Sequence, residues 1–189
     1  LELRACAGIF RGGRSANRAV VAHHPAPMPN PRSTAPARTD PPKDPLSLVR
    51  ARADALYRAA IECCRQHDRA AKLHKDDGEP ELEHKHMDAL CVMCDGSLSE
   101  MAEAYEAAAA NVHPERDETW WHKANSLWHA SREYRRRHAG CDAISKRVSG
   151  KHSPEQLRAM QMEYELEASA LLALRHAAEA YRKTRPELA

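Results

Sequence analysis

From Asp44 onward, apolar residues recur at alternating spacings of three and four, the signature of a helix that buries one stripe. The first stripe reads Leu46, Val49, Ala53, Leu56, Ala60, Cys63, His67, Ala70, His74. The second reads His84, Met87, Cys91, Cys94, Leu98, Met101, Tyr105, Ala108, Val112. The third reads Trp120, Ala124, Leu127, Ser131, Tyr134, His138, Cys141, Ser145, Val148, and the fourth Leu157, Met160, Tyr164, Glu167, Leu171, Leu174, Ala178, Tyr181. Punctuation agrees with the periodicity. Asp44-Pro45 is an N-cap followed by proline at the first helical position, and Ser153-Pro154-Glu155-Gln156 is a capping box. Asp76-Asp77-Gly78-Glu79-Pro80, His113-Pro114 and Ser149-Gly150 separate the stripes, each with residues that stop a helix.

The pattern predicts four helices over about 45–76, 81–112, 115–149 and 154–184, with residues 185–189 as a tail. Helices near 30 residues run ~45 Å, and short connections force neighbours antiparallel. The expected fold is all-α, an antiparallel up-down-up-down four-helix bundle over 45–184. Residues 1–44 have no such period. They are rich in proline and arginine and predict a disordered basic arm. The first methionine is Met28, and a start there would leave residues 1–27 outside the native chain.

Composition changes this picture little. The formal charge is +2 over 189 residues, so no global field points to nucleic acid. Residues 1–45 hold seven Arg or Lys against three acids, a net +4 that leaves −2 for the rest. Phe10 is the arm's one aromatic residue, so the arm lacks the stacking platforms of nucleic-acid binders. Arg132, Arg135, Arg136 and Arg137 form a basic face expected to pair with acidic neighbours. No window reaches the ~18 apolar residues of a membrane span or the ~7–15 of a signal-peptide core. The six cysteines are therefore expected as thiols in the cytoplasm rather than as a disulfide framework.

The candidate chemistry lies in the stripes themselves. Cys91-Val92-Met93-Cys94 is a C-x-x-C whose two cysteines share one helix face, as do Cys63/His67 and His138/Cys141. Counting residues from the helix ends at ~1.5 Å each places all three pairs, with Glu167, in one band ~10 Å deep. His74 and His84 fall above it with His152 nearby; Leu56, Met101, Leu127 and Leu171 fall below. Gly96 and Gly140 lie beside the band. A mid-helix glycine costs ~1 kcal/mol against alanine, so both predict a bend or a close backbone approach. Gly96, followed by Ser97-Leu98-Ser99-Glu100, marks a break point in the second helix. Cys64 and Cys6 fall outside the band's inner face.

Thiolates with imidazoles suit Zn(II) or Cu(I). The expected ligands are Cys63, His67, Cys91, Cys94, His138 and Cys141, with Glu167 as a further ligand or as the hydrogen-bond partner of His138. In architecture this resembles the four-helix-bundle copper-storage proteins, whose bores are lined with cysteine. That resemblance implies copper held by core thiolates, and five cysteines near one end limit it here to a single small site. A thiol–disulfide oxidoreductase is the second reading, because four-helix-bundle flavin sulfhydryl oxidases also carry C-x-x-C. The chain has no His-Asn-x-x-Asn segment for the flavin, and a mid-helix C-x-x-C lacks the helix N-terminus that activates a thiol. For a di-iron site, Glu100, Glu103, Glu163, Glu165 and Glu167 would each need a histidine three residues later, and none has one; a nucleotide loop, a nucleophile elbow and H-E-x-x-H are also absent, which points away from an enzyme. The alternative to a metal site is a structural bundle that holds a protein partner and uses its Cys and His only for packing.

Overall fold

The computed structural model describes residues 44–73, 81–112, 118–147 and 153–188, without the side chains of 81–85 and 145–147. It contains α1 (Pro45–Leu73), α2 (Glu81–Ala109), α3 (Thr119–Arg147) and α4 (Pro154–Arg182), each of 29 residues. A short 3-10 helix, Pro186–Leu188, follows. Residues 1–43, expected to be a disordered arm, lie outside the described residues with Cys6, His74 and His152, as does the side chain of His84.

The expected caps form. Asp44 Oδ1 accepts from the Leu46 N–H and Oδ2 from the Ser47 N–H, both at 3.2 Å. Ser153 Oγ accepts from the Gln156 N–H at 3.2 Å while Gln156 Oε1 accepts from the Ser153 N–H at 2.9 Å. Two reciprocal bonds satisfy donors that no earlier turn can reach.

The helices form a four-helix bundle. Along α1, Asp54 meets Tyr181 and Asp68 meets Arg175, so α1 and α4 run antiparallel. Tyr105 meets Asn125 and Glu103 meets Arg135, so α2 and α3 do too. Arg50 reaches Glu118 and His67 reaches Tyr134, so α1 and α3 are parallel across the diagonal. Up-down-up-down order follows. The two hairpins, α1–α2 and α3–α4, are the closely packed pairs, and they touch each other more sparingly.

Leu56, Leu98, Leu127 and Leu174, one from each helix, are fully buried. Each contributes about 1.5–3 kcal/mol by leaving water. Small residues at Ala53, Ala60, Ala124 and Ala178 let the backbones approach. Above the leucines the core narrows quickly: among described side chains, α2 has no buried residue before Leu98 and α4 none before Glu167.

Expectations fail at Gly96, Gly140 and Cys64: α3 runs unbroken through Gly140, where an added methyl group would meet only the Glu163 side chain, at an ordinary 3.6 Å. α2 runs through Gly96 without a break, and a methyl group added there would meet nothing within 4 Å. No close approach requires that glycine. Cys64, placed off the inner face by the period, is only 4% exposed, because α4 covers it beside Arg175. The arginine face behaves as expected. Arg132 pairs with Glu106, Arg135 with Glu103, Arg136 with Glu133, and Arg137 with Glu133 and Glu163.

Candidate metal centre

All four helices contribute to one polar cluster just above the leucine layer. Cys63 and His67 stand one turn apart on α1, and Tyr134 and His138 one turn apart on α3, so each helix offers two groups to the same side. Asp95 enters from α2 and Glu167 from α4. The Cys63 thiol donates to Asp95 Oδ1 at 3.4 Å, and His67 Nε2 lies 3.6 Å from the same oxygen. Facing donor atoms of Cys63, His67 and Asp95 all lie within 4.8 Å of one another, close enough to hold a metal ion. Bonds of 2.0–2.3 Å to one tetrahedral ion put ligands roughly 3.3–3.8 Å apart; two of the three separations already match.

Tyr134 is fully buried, and its hydroxyl sits against the same atoms, 2.6 Å from His67 Nε2 and 3.2 Å from Asp95 Oδ1. On the other side of Asp95, His138 Nε2 is 3.0 Å from Oδ2. That contact is an ion pair but is not aligned as a hydrogen bond, and Oδ2 is buried without a hydrogen-bond partner among the described residues. His138 Nδ1 meets Glu167 Oε1 at 2.5 Å. One imidazole therefore links two carboxylates.

The electrostatics follow from this order. Burial alone would raise the Asp95 carboxyl, but the His138 and His67 imidazoles beside it outweigh burial and hold the group below the usual carboxylate range. Glu167 is likewise lowered against the pull of burial, by hydrogen bonds from His138 and Cys141. Burial pushes the His138 imidazole down; Asp95 and Glu167 together bring it up to about 10. Burial, then the negative charge of Asp95, pushes the Cys63 thiol far up. Tyr134 is raised for the same two reasons.

The expected ligands divide into three groups. Cys63 and His67 converge with each other. His138, Glu167 and Cys141 gather on the far side of Asp95, where Glu167 is the partner of His138. Cys91 and Cys94 are half-buried on α2 and are not in the group close enough to share an ion. No disulfide joins the described cysteines.

Asp95 is the residue the sequence reading missed. Its stripe is Asp95, Leu98, Ala102, Tyr105, of which the last three are buried, spaced three, four and three. A legible signal existed: an acid three residues before a core leucine, on the same face. The neighbouring cysteine, 100° round the helix, occupied that place in the expected stripe instead. No protein-family model matches the chain, and comparison with curated proteins and with solved structures gives no match.

Proposed function

We propose that this small bundle protein binds one Zn(II) ion through Cys63, His67 and Asp95, for storage, buffering or sensing rather than catalysis. The observation that carries the reading is the convergence of a thiol, an imidazole and a carboxylate on one point between α1 and α2. The donor set selects the metal. Cu(I) prefers all-sulfur or sulfur–imidazole ligands, whereas a carboxylate suits Zn(II). Charge supports the same conclusion. His138 is one imidazolium between two carboxylates, so a bound cation supplies the positive charge the cluster is short of. The ion replaces the hydrogen bonds that Tyr134 makes to His67 and Asp95, and the Cys63 thiol releases its proton to water as the thiolate binds the ion.

A second reading has its own support. Tyr134 already satisfies His67 and one oxygen of Asp95, and Glu167 satisfies His138. A self-contained polar network that fixes helix register needs no ion.

Metal analysis of anaerobically purified protein separates the two. The metal reading expects zinc near one equivalent in the wild type and in Cys94→Ala, and its loss in Cys63→Ala and Asp95→Asn. Trace metal at equal levels in all four samples would leave the polar network.

A further inference from the structure

The Asp95 cluster is not sealed. An open groove of about 410 Å³ runs between α2 and α3, and Asp95 and His138 form part of its wall. Gly96 lines it, and nothing stands within 4 Å of where its side chain would begin. No packing demand explains a glycine at this point of an unbroken helix, but the space it leaves belongs to the groove. Glu100, Glu103 and Asp142 line the same groove, with Arg135 weakly paired to Glu103 at 3.8 Å. The buried Asp95 Oδ2, without a hydrogen bond among the described residues, belongs to the carboxylate that separates this groove from Cys63 and His67.

We propose that this groove is the entry port through which a hydrated divalent cation reaches the Asp95 site. The inference rests on the metal reading above and adds its route. An ion with six waters needs roughly 180 Å³ at ~30 Å³ per water, which the groove accommodates. Four carboxylates, of Asp95, Glu100, Glu103 and Asp142, outweigh Arg135 and the His138 imidazolium in this lining, and a net negative cleft raises the local cation concentration. The ion then exchanges a bound water for the Asp95 carboxylate and, still held by Asp95, exchanges further waters for His67 and the Cys63 thiolate. Gly96 keeps the passage clear.

Stopped-flow mixing of the full chain with Co(II), read by thiolate-to-cobalt absorption, tests the route. Gly96→Leu is expected to slow binding at least tenfold with the same final absorption at saturation, while Gly96→Ala binds at the wild-type rate. The triple change Glu100→Gln, Glu103→Gln, Asp142→Asn is expected to slow binding about tenfold at low salt and to flatten its salt dependence. Circular dichroism confirms that each variant is folded. Wild-type rates in both Gly96→Leu and the triple variant, with full absorption, would overturn the route and leave the metal reading standing. Absence of absorption in the wild type would overturn both.

Discussion

Two half-buried aspartates stand at different levels of this bundle and are built from similar parts. Asp54 accepts a hydrogen bond from the buried Tyr181 hydroxyl at 2.7 Å, and its second oxygen lies 2.9 Å from Arg185 Nη2. Asp95 accepts from the buried Tyr134 hydroxyl, and its second oxygen lies 3.0 Å from His138 Nε2. The difference is the cation. A guanidinium is always charged, presents a fork of donors and offers no lone pair to a metal. An imidazole can lose its proton and can ligate. Asp54 is therefore a closed structural latch, tying the segment after α4 back onto α1. Asp95 has a thiol and a second imidazole beside it, close enough together to hold a metal ion, and an oxygen without an aligned donor.

The comparison breaks first at the latch. Arg185→Leu leaves the Asp54 carboxylate without its cation in a place where both side chains are only 13–14% exposed. The expected loss is about 3 kcal/mol in urea unfolding, with or without added zinc. A loss below roughly 0.5 kcal/mol, the scale of a surface pair, would remove the contrast.

Zinc should act at the other end only. Added at about a hundred times its dissociation constant, it is expected to stabilise the wild type by about 2.7 kcal/mol. Arg185→Leu should retain that increment and Asp95→Asn should lose it. An equal increment in Asp95→Asn would place the ion elsewhere.

Alkaline pH sharpens the contrast further in the metal-free protein. The folded pKa of His138 is raised from 6.5 to about 10. Its contribution is therefore complete below about pH 6.5 and is lost as pH rises through about 10. A decline on the order of 2 kcal/mol is expected over that window, after allowing for partial exposure, and His138→Gln should abolish it. The arginine latch does not titrate there. A wild-type profile identical to that of His138→Gln would contradict the assignment. Smallest is Gly96→Ala, expected to stabilise by about 0.5–1 kcal/mol through helix propensity alone, because the new methyl group meets nothing.

The fold was legible because it depends on repeated local signals. Alternating three–four spacing, Asp44-Pro45 and the Ser153–Gln156 box act within one helix; both caps form and four helices stand where the spacing put them, although Leu157 of the fourth stripe is 50% exposed. The site was half legible. Cys63, His67, His138 and Glu167 sit on stripes the sequence displays, and counting residues from the turns brought them level. Asp95 and Asp54 were both missed for one physical reason. An acid beside a core position reads as surface until its partner from another helix is known. Arg185, just past the end of α4, is visible as a partner only after the chain has folded back onto α1. Cys91 and Cys94 illustrate the converse. Their spacing fits a stripe, but α4 has no buried residue at the level where α2 presents them, so the period alone could not bury them.

If Cys63, His67 and Asp95 hold an ion as proposed, it takes the place where the Tyr134 hydroxyl now bonds to His67 and Asp95. Co(II) titration of Tyr134→Phe beside the wild type tests it directly. Removing the hydroxyl removes the competitor for His67 and Asp95, so both proteins should develop thiolate-to-cobalt absorption at one ion per chain. The variant should bind roughly tenfold tighter, the equivalent of one lost hydrogen bond of about 1.4 kcal/mol. No such absorption in either protein at saturating Co(II) would contradict the account.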